Sequence, residues 1–455
     1  MSDPPPVLRW DRLLCPHRLP LDGSPPTPAP SGGDPHRSPF EADHDRVVYS
    51  APFRRLARKT QVHPLAPNDQ VHNRLTHSIE VASVGRSLGR RLGAFLVERG
   101  ELNAASADHL VWILQAACLA HDLGNPPFGH AGEFALRAFA RKHPADVPGS
   151  STPAAEDWAL FEGNAQGFRL CARPDNPGAG HLRLTCATLA TLVKYPWAVD
   201  DPRASATGKF NVFHAERALF GQVVDACGLG IPGGASGGGV ARHPLSFLAE
   251  AADDICYRIL DLEDAVEMGI LAEPRVRAAF ARFTGGDPRG GSQDRGDPAD
   301  PLSKLRGGVI RTLESACWRV FVNGYAAVMA GEREADLKAG LGGGLPDALA
   351  GVGELYAEIF AHRDKVAAEL GAYKALGRIV TALSRSVDDL TASPGRRFAD
   401  TEFLTRRSLE LAFGRVHAEQ NQGRDAFWWS HRVMDFVSGL TDNAARDLSS
   451  AIDGH

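Results

Sequence analysis

Leu110-Val-Trp-Ile-Leu-Gln-Ala-Ala-Cys-Leu-Ala-His121-Asp122 is an apolar run that ends on two ionisable groups. The spacing predicts a helix from about Ser106, whose Ser-x-Asp opening suits an N-cap, to Leu123, with Gly124-Asn-Pro-Pro as its stop. A charge beside an apolar helix is costly when buried unless it is paired or ligates a metal. Alone, the dipeptide is better explained by a helix C-terminal histidine serving the last carbonyls beside an exposed aspartate. Other residues change that balance. His77, in Asn73-Arg-Leu-Thr-His-Ser-Ile-Glu80, falls where an amphipathic helix expects a core residue. Asp253, Tyr257 and Asp261 follow at i, i+4 and i+8 and share one helix face. His77, His121, Asp122 and Asp253 make an N₂O₂ set that suits Mn, Fe, Zn or Mg and can acidify water for attack on phosphorus. No thiolate accompanies the set, which argues against a structural zinc site.

The rest of the chain is predominantly helical in pattern. Periodic stretches fall near 129–142, 153–170, 181–194, 213–227, 244–270, 306–330, 352–369, 371–392, 402–417 and 426–449, with no convincing alternation of β-branched residues. The 455 residues set a prior of about three domains. Gly 47 and Pro 31 together exceed average usage and demand long loops. Three Gly/Pro-rich breaks supply them, at Gly228–Pro244, Thr284–Pro301 and Gly340–Gly353. Because the metal-ligand pattern spans the first break, it reads as a loop within a domain. The expected organisation is a proline-rich, largely irregular leader over 1–44 and a single α-helical unit over 45–455. Within that unit the core of the site covers about 70–270 and a C-terminal helical part about 302–455. Trp10, Leu13 and Leu14 are an exception in the leader, since large apolar groups in a tail dock on the body.

Composition excludes several classes. Apolar residues at 43% and charged ones at 23% rule out wholesale disorder, and a net charge of −5 provides no global basic field for nucleic acid or anionic membrane. Seven scattered cysteines without a C-x-x-C pair read as reduced thiols. Met1-Ser-Asp-Pro-Pro-Pro lacks the features of a signal peptide, and no apolar run is long enough to span a bilayer, so the expected location is cytoplasmic.

The longer words narrow the reading. Phe53-Arg-Arg-Leu-Ala-Arg-Lys-Thr-Gln-Val62, Asn73-Arg-Leu-Thr-His-Ser78, His121-Asp-Leu-Gly-Asn-Pro-Pro-Phe-Gly-His-Ala-Gly-Glu133, Phe161-Glu-Gly-Asn-Ala-Gln166 and Glu250-Ala-Ala-Asp-Asp-Ile-Cys-Tyr257 resemble the deoxyguanosinetriphosphate triphosphohydrolase family of the HD superfamily of metal-dependent phosphohydrolases. The similarity runs from about Ser38 to Asp435-Phe-Val-Ser-Gly-Leu-Thr-Asp442. It implies a large all-α fold and hydrolysis of deoxynucleoside triphosphates at the α-phosphorus, giving deoxynucleoside and intact triphosphate. The metal ligands it implies are His77, His121, Asp122 and Asp253. Asp254 competes for the last place, but it points about 100° away from the face that Asp253 shares with Tyr257 and Asp261. The metal would be Mn or Mg foremost, with Fe, Co or Zn as alternatives.

The same resemblance assigns His130 and Glu133 as a carboxylate-steered imidazole serving as acid or base. Arg74 and Lys209 would neutralise triphosphate charge, Glu162 and Asn164 would line the site, and Gln61, Tyr257 and Asp261 would serve the sugar. Plainer readings exist for several: a helix cap for His130, a first-turn carboxylate for Glu133, a surface charge for Lys209 and a core aromatic for Tyr257. The expected partners are deoxynucleoside triphosphates, further copies of the chain in a homo-oligomer, and a nucleotide or single-stranded DNA effector, with no membrane. His63, His72, His143, His181, His214, His243, His362, His417 and His431 lack a partner set and are assigned to surface or caps. Trp428-Trp429 reads as a packing anchor. Gly237-Gly238-Gly239 has no following Lys-Ser/Thr and is not a phosphate loop.

Overall fold

Two long helices set the frame. Arg74–Glu98 opens on a capping box in which the Asn73 side chain accepts from the Leu75 and Thr76 amides at 3.0 and 3.1 Å, and Thr76 Oγ1 accepts from the Asn73 amide at 3.1 Å. Ala104–Ala120 begins two residues earlier than the sequence suggests. Its cap is Asn103, whose side chain accepts from the Ser106 amide at 2.8 Å, so Ser106 is the residue being capped. The two helices lie antiparallel along a face of small residues. A Cβ added at Gly89 would sit 3.1 Å from Val111 Cα, so the backbones meet only because glycine stands there. This close approach brings the first turn of one helix, with His77, to the last turn of the other, with His121. A third helix, Pro244–Glu267, packs on both and carries Asp253.

The computed structural model describes residues 7–20, 24–27, 36–61, 71–173, 182–231, 239–285 and 302–454. His63, the Pro64–Asn68 loop, His181, Gly237-Gly238 and most of the Thr284–Pro301 break lie outside the described residues. The fold is all-α. Among the described residues the only strand pairing is Gly230–Ile231 against Gly239–Val240, within the first glycine-rich break. No described helix is long and apolar enough to cross a membrane.

Apolar side chains gather into two buried clusters. The first holds the paired helices together with Pro244–Glu267 and Leu302–Asn323. The second joins His130–Lys142 to Arg363–Thr391 and Ala426–Gly439, with Trp158, Phe161, Phe210, Phe213 and Trp429 buried in it. Neither cluster follows a chain boundary, because both draw on residues before and after the glycine-rich breaks. The leader docks as its apolar groups suggest. Leu8, Trp10 and Leu13 are buried in the first cluster, and Trp10 Nε1 donates to Tyr325 Oη at 2.8 Å. The helix Pro39–Val48 crosses residue 44, and its buried Asp43 pairs with Arg18 at 2.5 Å. All seven cysteines are buried and unpaired with one another by disulfides.

Five expected helices are divided. The 153–170 stretch is Ala154–Ala159 and Gly163–Ala172, the 306–330 stretch breaks at Gly324, the 352–369 stretch at His362, the 402–417 stretch at Gly414 with φ 79°, and the 426–449 stretch at Leu440-Thr441. Apolar periodicity continues across each break and hides it. His431 is neither surface nor cap: it is buried, with Nε2 2.9 Å from Asp157 Oδ2.

Candidate active site

His77 Nε2 lies 3.2 Å from Asp253 Oδ1, and His121 Nε2 lies 3.4 Å from the same oxygen and 3.5 Å from Asp122 Oδ1. Ligand atoms of His77, His121 and Asp122 fall within 4.8 Å of one another. His121 Nδ1 is 2.6 Å from the Cys118 carbonyl, which can only accept, so Nδ1 carries the hydrogen and Nε2 presents its lone pair to the cluster. That Nε2 is buried and has no hydrogen-bond donor. An orphaned imidazole lone pair between two carboxylates is the arrangement a divalent cation satisfies, so the donor set fits a metal. Asp254 turns away and pairs with Lys338 at 2.6 Å, leaving Asp253 as the carboxylate that faces the histidines.

Burial works against ionising Asp122, yet the Arg74 guanidinium holds its carboxyl down at about 2. Burial likewise opposes the Asp253 carboxylate, and the Lys194 ammonium keeps it well below the usual range. The site thus keeps both carboxylates charged, Asp122 buried and Asp253 partly so. Arg74 Nη1 is 2.7 Å from Asp122 Oδ2 and the side chain is buried, so its charge backs the aspartate. Lys194, which the sequence reading passed over, donates to Asp253 Oδ2 at 2.7 Å. It stands just beyond the apolar helix Cys186–Leu192, the same charge-after-apolar-helix signal that singled out His121. Asn211 Oδ1 fixes its loop by accepting from the Lys194 and Tyr195 amides at 3.1 and 2.8 Å.

A second group lies beside the cluster. His130 opens the helix His130–Lys142, and its Nδ1 is 3.1 Å from Glu133 Oε2. Its side chain is 54% exposed whereas that of Glu133 is 5% exposed, so a buried carboxylate steers an accessible ring. Burial disfavours the Glu133 carboxylate, but the hydrogen bond and charge of His130, then Lys209 and Arg137, bring it down to about 2. Glu133 Oε1 also accepts from the Gly163 amide at 2.7 Å. Gly129, with φ 60°, passes so close to Arg74 that an added Cβ would lie 2.8 Å from Nη2, which ties the His130 turn to the Arg74–Asp122 pair.

Glu162 is fully buried, and its oxygens are taken by Lys209 at 3.1 Å, Arg137 at 3.2 Å and Asn164. It anchors Lys209 and does not itself present a free oxygen to a ligand. Lys209, partly exposed, and Asn164 remain at the edge of the site. Gln61 Oε1 and Asp261 Oδ1 are buried acceptors without a donor. Tyr356, absent from the sequence reading, stacks on Tyr257 with centroids 5.7 Å apart, and its hydroxyl lies 2.8 Å from both Asp261 Oδ2 and the Tyr257 carbonyl. One hydroxyl hydrogen faces two acceptors. That hydrogen is shared between Asp261 Oδ2 and the Tyr257 carbonyl, Asp261 Oδ1 is left without a donor, and burial raises the Asp261 carboxyl well above the carboxylate range.

Residues 74–150 match the HD domain family. Over 98% of this chain and 98% of its own length, a deoxyguanosinetriphosphate triphosphohydrolase-like protein of Pseudomonas aeruginosa (strain LESB58) is 38% identical. A protein of the same description from Synechocystis sp. is 36% identical over 92% of this chain and 94% of its own. One from Listeria innocua is 30% identical over 98% of this chain and the whole of its own. With relatives this similar along nearly the full length, the chain belongs to the deoxyguanosinetriphosphate triphosphohydrolase-like family of HD-domain proteins.

Proposed function

We propose that the protein hydrolyses deoxynucleoside triphosphates at the α-phosphorus, releasing deoxynucleoside and inorganic triphosphate. The observation that carries this reading is the convergence of His77, His121, Asp122 and Asp253 beside an accessible imidazole and two lysines. A divalent cation, Mn or Mg foremost, would be held by those four residues and would supply Lewis acidity toward phosphate and water. Lys194 and Lys209 offer positive charge to the triphosphate, a point-charge role that suits lysine. His130 exchanges a proton at its exposed Nε2, with the attacking water or the departing 5′-oxygen, while Glu133 holds Nδ1 and stabilises the charged ring. Gln61 and Asp261 present buried acceptors to sugar hydroxyls, and Tyr257 walls the same pocket.

The test is incubation with each common dNTP, singly and mixed, under Mn, Mg or Co, reading triphosphate. Release of triphosphate supports the reading. Orthophosphate or pyrophosphate as the product would move the protein to a monophosphatase or phosphodiesterase-type HD activity. Tight nucleotide binding without turnover under every metal would make it a sensor.

A further inference from the structure

The C-terminal motif Asp435-Phe-Val-Ser-Gly-Leu-Thr-Asp442 has no part in the site described above, yet its last residue is 3% exposed and fully engaged. Asp442 begins the helix Asp442–Ile452, where a carboxylate ordinarily serves its own helix N-terminus. That task belongs instead to Thr441, whose hydroxyl accepts from the Ala444 amide at 3.2 Å. Asp442 spends both oxygens elsewhere. Oδ2 accepts from the Thr60 amide at 3.0 Å and from the Thr60 hydroxyl, and Oδ1 accepts from the Phe128 amide at 2.8 Å.

Both targets adjoin residues of the site. Thr60 precedes Gln61, and the Lys59 carbonyl accepts from the Arg74 amide at 3.2 Å, at the start of the helix that bears His77. Phe128, at φ 65°, and Gly129, at φ 60°, form a left-handed turn from which the helix bearing His130 departs. A left-handed conformation is unfavourable for phenylalanine and persists only where its surroundings hold it. A neighbouring buried side chain works in parallel: Lys59 Nζ donates to the Asn125 carbonyl at 2.7 Å and to the Ser438 carbonyl at 2.6 Å, joining the loop after Asp122 to the same C-terminal junction.

We propose that Asp442 is a positioning residue that holds the Phe128-Gly129 turn and the Thr60-Gln61 segment together from behind, and so fixes the direction in which His130 enters the site. The proposal rests on the reading of His130 as the proton-exchanging group. Asp442→Asn keeps the shape but sets an amide donor against one of the donors now served. Because Thr60 offers two donors and Phe128 one, the amide oxygen stays with Thr60 and the turn is released. The expected result is a fall in kcat of about tenfold or more with KM nearly unchanged. Metal stoichiometry should be kept, and backbone hydrogen exchange at Phe128–His130 should quicken. Thr60→Val, which removes only the hydroxyl arm, should raise KM through Gln61 with much less effect on kcat. It also keeps the proposal open to refutation if Asp442→Asn does not fold.

Wild-type kcat with unchanged exchange at Phe128–His130 in Asp442→Asn would overturn the staple, as would a kcat loss that merely follows loss of metal. Quickened exchange in Asp442→Asn, in a protein whose wild type releases no triphosphate, would support the staple and defeat the triphosphohydrolase reading alone.

Discussion

The two histidine sites of this protein are built in opposite ways. At the His–Asp cluster His77 is buried and His121 nearly so, their rings converge on one carboxylate oxygen, and an imidazole nitrogen is left unsatisfied. At the neighbouring pair the ring of His130 is largely open and the carboxylate behind it, Glu133, is the buried partner. The first arrangement suits a divalent cation. The second leaves one ring nitrogen accessible while the other is held. Environment therefore separates histidines only nine residues apart along the chain, His121 and His130.

Substitutions should separate the two sites. The largest effect is expected of Asp122→Ala, which removes a ligand and leaves Arg74 buried without its carboxylate. Metal analysis should show loss of the cation, triphosphate release should fall by at least about a thousandfold, and unfolding should be easier by about 3 kcal/mol. His130→Ala should keep metal content and lose about a hundredfold in kcat. Equal metal loss in both variants would erase the distinction drawn between the sites.

Glu133→Gln should come next, with kcat lowered about tenfold and a characteristic pH dependence of stability. The folded carboxyl titrates near 2, below its ordinary value of 4.5. Between those values the unfolded chain binds the extra proton, so the contribution to stability is fully present above about pH 4.5 and fades as pH falls toward 2. Unfolding free energies of wild type and Glu133→Gln from urea titration should differ by an amount on the order of 3 kcal/mol near neutrality and draw together in acid. A gap that stays constant with pH would contradict this account of the buried carboxylate. The smallest effect is expected of Tyr356→Phe, which removes the hydroxyl that donates to Asp261 Oδ2. KM for the deoxynucleotide should rise by about fivefold with kcat nearly preserved, a loss of about 1 kcal/mol. A change confined to kcat would place Tyr356 in the chemical step instead.

The ligand cluster was legible because its residues violate local pattern: His121-Asp122 interrupts an apolar helix, and His77 occupies a core position. Helix periodicity was enough to prefer Asp253 to Asp254, and the structure turns the two carboxylates to different partners. Lys194 carried a comparable signal, standing after an apolar helix, but no neighbouring ligand residue drew attention to it. Tyr356 carried none, since it reaches Asp261 from a distant part of the chain through one hydroxyl on an ordinary-looking helix residue. Asp442 closed the family-like span, but spacing did not say that it would engage Thr60 and Phe128. Arg74 and Glu162 pair with Asp122 and with Lys209, and that side-chain pairing is not encoded in spacing. The helix Glu273–Thr284 escaped notice for another reason: its three arginines obscure the stripe formed by Val276, Ala279, Phe280 and Phe283.

The central claim is attack at the α-phosphorus, and it is tested most directly by running the reaction in water labelled with heavy oxygen and locating the label by mass spectrometry. The account predicts one labelled oxygen in the released triphosphate, none in the deoxynucleoside, and no reaction after the divalent cation is chelated. Label in the deoxynucleoside hydroxyl, or in released orthophosphate or pyrophosphate, would contradict it.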